Sequence, residues 1–260
     1  MHSFSRLAYL APLLRASVPK VMSYQRHTGG RQLSWAARLG GRSLQFTGCS
    51  EFIASMGRAT AGTWTAIPNF VEPERIDYVP AVAPDAPLLF LSRVESIKGP
   101  DLAIAIARAS GRKILIAGNH ASVGPERTFW DHAIVPHLGR DGIEYVGEVG
   151  DSAKNALLGR AAALVVPIQW DEPFGLVMIE AMACGAPVLG VRRGSVGEVV
   201  DVGVTGYTAS SPEGLVECVP AALALDRRKV RERGEARFGY RAMVQGYLDL
   251  YRDLIRRRSG

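Results

Sequence analysis

Residues 87–118 read PLLFLSRVESIKGPDLAIAIARASGRKILIAG. Leu88, Leu89, Phe90 and Leu91 form an apolar run of strand length, the pattern of a strand buried on both faces. Residues 100–109 follow with apolar side chains at helical spacing, Pro100 in the first turn and Gly111 just past the end. Residues 113–117 make a second apolar strand that stops at Gly118. Strand, helix and strand in close succession define a βαβ unit. It predicts parallel strands joined by a right-handed crossover.

The alternation continues downstream. Helices are expected over 126–138, with Pro136 near the end, over 151–158, capped by Asp151, and over 174–184, closed by Gly185 with Pro187 beyond. Strands are expected over 143–146, 163–166, 187–191 and 205–208, and mostly helical structure over 212–225 and 228–256. The result is an α/β fold with a parallel sheet covered on both faces, and ligands bind such sheets beyond the carboxyl ends of the strands. Upstream, residues 69–87 carry four prolines, at 73, 80, 84 and 87, and read as an inter-domain linker. Before it lie a short strand over 18–24 and helical pieces over 34–39 and 50–56.

At 260 residues the chain has material for one large or two small domains, and 47 % hydrophobic content supplies a core without staples. Cys49, Cys184 and Cys218 are scattered, with no C-x-x-C pair, which suits reduced thiols in a cytoplasmic protein. No apolar run approaches the ~18–20 residues of a membrane span. The net charge of +6 is unevenly spread: +6 over residues 1–72, −7 over 73–226 and +7 over 227–260. The basic flanks suit peripheral contact with the inner face of a membrane, or form a solvated basic face, and no nucleic-acid motif accompanies them. Residues 1–50 hold arginines and no Asp or Glu, a composition shared with mitochondrial transit peptides, and residues 7–14 have the apolar character of a short secretory segment. The turn and strand punctuation of the same stretch favours a folded domain.

Three motifs carry chemistry. The first is Glu172-Pro-Phe-Gly-Leu-Val-Met-Ile-Glu180, running from a loop into a helix. A helix N-terminus offers unpaired N–H groups to an anion, and Gly175 permits close backbone approach. Carboxylates flanking an anion site suit the hydroxyls of a sugar or ribose. The second is Ser92-Arg93-Val-Glu-Ser-Ile-Lys98-Gly99, directly after a strand, where Arg93 and Lys98 offer a fork and a point charge to a diphosphate. The third, Gly194-Ser195-Val-Gly-Glu198, has small residues that admit a ligand's close approach or simply make a turn.

With these motifs in place, residues 87–210 resemble the donor-binding domain of retaining family-4 glycosyltransferases with the GT-B fold. Ser50-Glu51 and Thr65-Ala-Ile-Pro-Asn69 resemble the family's helix start and its entry to the linker. The resemblance implies a Rossmann-like parallel-sheet donor-binding domain over 87–235 and a partial N-terminal Rossmann-like domain over 1–72. The linker would occupy 73–86, and a C-terminal helix, 236–260 with Tyr247 and Tyr251, would cross back. It implies that Arg93 and Lys98 hold the donor diphosphate and that Glu172 holds hydroxyls of the transferred sugar. The backbone at Phe174, Gly175 and Leu176 would contact sugar and phosphate, and Glu180 the ribose. The loop 147–151, with Val149 and Asp151, would lie near the base. The family's N-terminal histidine aligns on Gln25, with His27 as the alternative, and Ser195 completes the candidates.

No Asp-x-Asp occurs, so a metal-bridged diphosphate is not expected and no cofactor is implied. The partners implied are a nucleotide-sugar donor and an acceptor of unread class: saccharide, lipid or small molecule. Only 72 residues precede the linker and no Gly-rich strand opens the chain, so an incomplete, poorly soluble or partner-dependent N-terminal domain is expected. Two alternatives accompany the transferase. One is a catalytically incompetent nucleotide-sugar-binding fragment. The other is a GT-B-fold sugar-nucleotide epimerase, which needs acid/base carboxylates and a histidine in its cleft.

Overall fold

The computed structural model describes residues 1–26 and 30–259. His27 lies outside the described residues. The chain divides into Met1–Phe70 with Tyr240–Gly260, and Val71–Gly239.

In the first unit β1 (His2–Ser3), β2 (Lys20–Tyr24), β3 (Leu44–Gly48) and β4 (Trp64–Ala66) form one parallel sheet in that order. Helix α1 (Gly30–Gly40) joins β2 to β3, and α2 (Glu51–Thr60) joins β3 to β4. Ser50 caps α2, accepting the Ile53 N–H at 3.1 Å. Gly57 lets α2 press onto the sheet, since a Cβ there would stand 2.2 Å from the Trp64 ring. The apolar stretch Leu7–Leu13 forms a 3-10 turn that buries Leu7 and Leu10. The C-terminal helix, Tyr240–Ser259, packs Tyr247, Leu250 and Leu254 on Val21 and Ile67.

The reading by apolar runs misses β1, β3 and β4 because polar residues interrupt them. Gln45 and Thr47 are buried in β3, and the Gln45 amide donates to Phe46 O, Thr63 O and Thr65 Oγ1. Lys20 is buried at the start of β2, its ammonium donating to Ala16 O, Val18 O and Ser43 Oγ within 2.8 Å. Buried polar groups are tolerable when fully partnered, and hydropathy alone does not reveal partners.

The second unit is built on β5 (Leu88–Leu91), α3 (Pro100–Ala109), β6 (Ile114–Ala117), α4 (Pro125–Phe129) and β7 (Ile143–Gly147). It continues with α5 (Asp151–Arg160), β8 (Ala163–Val166), α6 (Leu176–Cys184), β9 (Val188–Val191), α7 (Val196–Val199), β10 (Gly206–Ala209), α8 (Pro212–Leu223) and α9 (Arg227–Phe238). The sheet is parallel throughout, in the order β10-β9-β8-β5-β6-β7. Leu88, Phe90, Ile104, Ile114, Ile116 and Leu189 sit in its core. The chain runs outward from β5 to β7, then returns to place β8 on the other side of β5. At such a reversal neighbouring connections leave toward opposite faces and open a crevice at the carboxyl ends.

Several expected elements are corrected. Residues 126–138 are not one α-helix: α4 gives way to a π turn at Trp130–Ile134 and a 3-10 turn at Val135–His137. Pro136 lacks the N–H that would continue the ladder. Gly150, not Asp151, precedes α5 as its cap residue, and no side chain makes a capping bond there. Helix α6 starts at Leu176, because Gly175 is left-handed with φ +83°. Over 228–256, expected to be mostly helical, extended Gly239 separates α9 from the C-terminal helix Tyr240–Ser259. Residues 73–86, read as a linker, are fastened to this unit: Val79 N–H donates to Cys184 O, Arg227 to Val79 O, and Arg231 to Pro73 O and Ile76 O.

Candidate functional site

The loops after β5 and β8 meet at the reversal. Beyond β5, Val94 N–H donates to Asn119 O at 2.9 Å, which carries the pairing past the strand end. The chain then turns through Ser96–Lys98 into left-handed Gly99, φ +72°. A Cβ at Gly99 would stand 2.3 Å from Pro167 O, so only glycine lets this loop lie against the end of β8. Gln169 N–H donates to Ile97 O at 2.8 Å and stitches the two loops together. Glu126, from α4, accepts Ser96 N–H at 2.8 Å and Ser96 Oγ–H at 2.7 Å. This anchor has no sequence signal; it lies 30 residues away in a stretch read as ordinary helix.

These contacts bring Lys98 and Glu172 together. Lys98 Nζ donates to Glu172 Oε2 at 3.0 Å, and each side chain is only 14 % exposed. Trp170 Nε1–H donates to the same oxygen at 3.2 Å, and the Lys98 ammonium stands 4.7 Å from the Trp170 ring centroid. Glu172 is fixed from behind. Its carbonyl accepts Ser195 N–H at 2.8 Å, and a Cβ at left-handed Gly194 would stand 2.3 Å from that carbonyl oxygen. The Gly194–Ser195 turn thus acts through its backbone. The Ser195 hydroxyl is buried and has no hydrogen-bond partner among the described residues.

Arg93 is not brought to this pair. Its guanidinium reaches Glu95 at 2.5 Å and is mostly exposed. Phe174 is buried edge-on against Phe238, so its ring is a packing anchor. Gly175 follows, and Leu176 opens α6 with its side chain half exposed. Glu180, the fifth residue of α6, receives Lys154 Nζ at 2.7 Å. Asp151, almost fully exposed, stands 3.2 Å from the same ammonium. Burial draws the Lys154 ammonium down, but the hydrogen bond and charge of Glu180, with Asp151 adding to them, hold it above its ordinary value. Lys154 is a residue the sequence reading missed, because a lysine in a first helical turn looks like surface. Val149 is half-buried in the loop after β7. Gln25 lies exposed in the first unit, just after β2. Among the described residues no group of three or more His, Cys, Asp or Glu is arranged to hold a metal ion.

The arrangement offers a half-buried cation and carboxylate at the reversal, a glycine-led helix N-terminus beside them, and a second half-buried carboxylate on that helix. It can accept a diphosphate and the hydroxyls of attached sugars.

The family model of glycosyl transferases group 1 matches residues 80–237. A D-inositol 3-phosphate glycosyltransferase of Catenulispora acidiphila is 32 % identical over 186 residues, covering 65 % of this chain and 43 % of that relative. The chain spans about half the length of the curated relatives it matches, 43 % to 56 % for the first three. Among solved structures, AviGT4, a glycosyltransferase involved in avilamycin A biosynthesis, is 27 % identical with TM-score 0.69, covering 91 % of this chain and 68 % of that one. Anabaena Alr3699/HepE in complex with UDP is 18 % identical with TM-score 0.74, covering 90 % and 72 %. The fold is therefore the α/β, parallel-sheet architecture of GT-B glycosyltransferases.

Proposed function

The chain belongs to the glycosyl transferases group 1 family, and on that premise we propose that it is a retaining, family-4 glycosyltransferase. It moves a sugar from a nucleoside-diphosphate donor to an acceptor hydroxyl. The observation that carries this reading is the Lys98–Glu172 pair, held half-buried by two loops at the strand-order reversal. The two loops are also joined by a backbone bond, Gln169 N–H to Ile97 O.

The donor's diphosphate takes the Lys98 ammonium as its counter-charge, with Arg93 swinging in from Glu95. The developing negative charge on the leaving phosphate is then stabilised by groups already in place. The N-terminus of α6 takes the phosphate side, and Glu172 accepts hydroxyls of the transferred sugar. Glu180, oriented by Lys154, accepts ribose hydroxyls. No carboxylate stands as an evident nucleophile. The departing phosphate oxygen serves to deprotonate the acceptor on the same face, and positioning supplies most of the rate. The diphosphate is neutralised without a metal. HepE, which shares the fold, is a UDP complex, and this supports a nucleotide donor. Among the described residues no helix is long and apolar enough to cross a membrane. The basic flanks suit contact with an anionic bilayer face from the cytoplasm.

The test is to incubate the chain with UDP-, GDP- and ADP-sugars and follow both free nucleotide and sugar configuration. Nucleotide release from one donor with the anomeric configuration kept is the expected result. An isomerised sugar nucleotide without release would establish an epimerase instead.

A further inference from the structure

We infer that Trp170 is a stacking platform for a pyranose ring and selects the sugar part of the ligand. The inference rests on the donor-site reading above. The loop after β8 buries Ile168 and presents Trp170, leaving the tryptophan 38 % exposed. An exposed tryptophan on a polar loop would ordinarily keep its rotational freedom. This one is pinned twice, by its indole N–H on Glu172 Oε2 at 3.2 Å and by the Lys98 ammonium 4.7 Å from its ring centroid. Ordering a side chain costs entropy, so a pinned and open ring points to a ligand face.

The chemistry beside the ring fits one ligand class. Glu172 Oε2 takes both donors, from Lys98 and Trp170, while Oε1 has no hydrogen-bond partner among the described residues. An aromatic plane next to an unfilled carboxylate acceptor matches a pyranose, whose C–H face lies on a ring while its hydroxyls donate to a carboxylate. Ile97, on the loop whose carbonyl accepts Gln169 N–H, is a further exposed large apolar residue. Phosphate and ribose need no such plane, so the ring should read the sugar and ignore the nucleotide.

The experiment uses the full chain, Trp170→Ala and Trp170→Phe, titrated calorimetrically with UDP and UDP-glucose, GDP and GDP-mannose, and ADP and ADP-glucose. Where the unaltered chain binds a pair, Trp170→Ala should weaken the sugar nucleotide about tenfold and leave the free nucleotide within about twofold. Trp170→Phe keeps the plane and should stay within about threefold on the sugar nucleotide. Equal weakening of both ligands, or of neither, would overturn the platform, provided the variants melt like the unaltered chain. Failure of the unaltered chain to bind any of the six would instead overturn the donor-site reading, and this inference with it.

Discussion

Lys98 and Glu172 illustrate how far single residues can be read. Both were legible, because each sits in a loop directly after an apolar strand, where an α/β fold collects its chemistry. Their mutual contact was not legible, since it depends on β8 returning beside β5. Arg93 differs: it follows the same strand, but its partner here is Glu95, two residues on, and not the Lys98–Glu172 pair. Lys154 and Glu126 are positioning residues that no local pattern marks. Replacing Lys154 by Met should release Glu180 and weaken ribonucleotide binding about tenfold or more, roughly the worth of one charged hydrogen bond. The matched 2′-deoxynucleotide should be less affected, and equal loss for both would contradict the ribose role. The cysteines give a pH test. Burial pushes the Cys184 thiol up from 9.0 to about 11, whereas Cys218 is half-buried. The fold keeps a proton on Cys184 that the unfolded chain releases near 9.0. This contribution to stability is therefore full below pH 9 and declines as pH rises toward 11. At pH 8 iodoacetamide should modify Cys218 well before Cys184, read by peptide mass mapping.

At the scale of elements, the second unit was read nearly whole because its strands are short uninterrupted apolar runs. Leu88–Leu91, Ile114–Ala117 and Ala163–Val166 are buried almost end to end. The first unit was read in part. The strand over 18–24 and the helical pieces over 34–39 and 50–56 fall on β2, α1 and α2, but β3 was missed because it buries Gln45 and Thr47 behind satisfied hydrogen bonds. Boundaries failed where one residue overrules a periodic pattern, as Pro136, Gly175 and Gly239 do. Two glycines make the element packing testable. Gly99→Ala places a Cβ 2.3 Å from Pro167 O at a left-handed φ of +72°. It should cost about 1–3 kcal/mol and displace the Lys98 loop, so that nucleotide binding falls along with the melting temperature. Gly57→Ala would drive a Cβ into the Trp64 ring at 2.2 Å, far from Lys98 in sequence and in the other unit. It should cost a similar about 1–3 kcal/mol while leaving nucleotide affinity unchanged. Loss of affinity in Gly57→Ala alone would contradict the assignment of the site to the second unit.

For the whole molecule, the division into Met1–Phe70 with Tyr240–Gly260 and Val71–Gly239 sets what each part contributes. The second unit contains both loops of the site, both pairs, Lys98–Glu172 and Lys154–Glu180, and the stretch matched by the family model. It also closes on itself through Arg227, whose buried guanidinium donates to Val79, Gly159 and Ala161 carbonyls within 2.9 Å. The central claim is that this unit binds a nucleoside diphosphate at the reversal between β5 and β8, with Lys98 as the counter-charge. The most direct measurement is calorimetric titration of the full chain and Lys98→Ala with UDP, GDP and ADP. The account predicts that one nucleotide binds the unaltered chain, raising its unfolding free energy by about 2.7 kcal/mol at a hundredfold excess over Kd. It predicts that Lys98→Ala weakens this binding about tenfold or more without lowering the melting temperature to match. A chain that melts cooperatively yet binds none of the three, or a Lys98→Ala variant that binds as tightly as the unaltered chain, would contradict it.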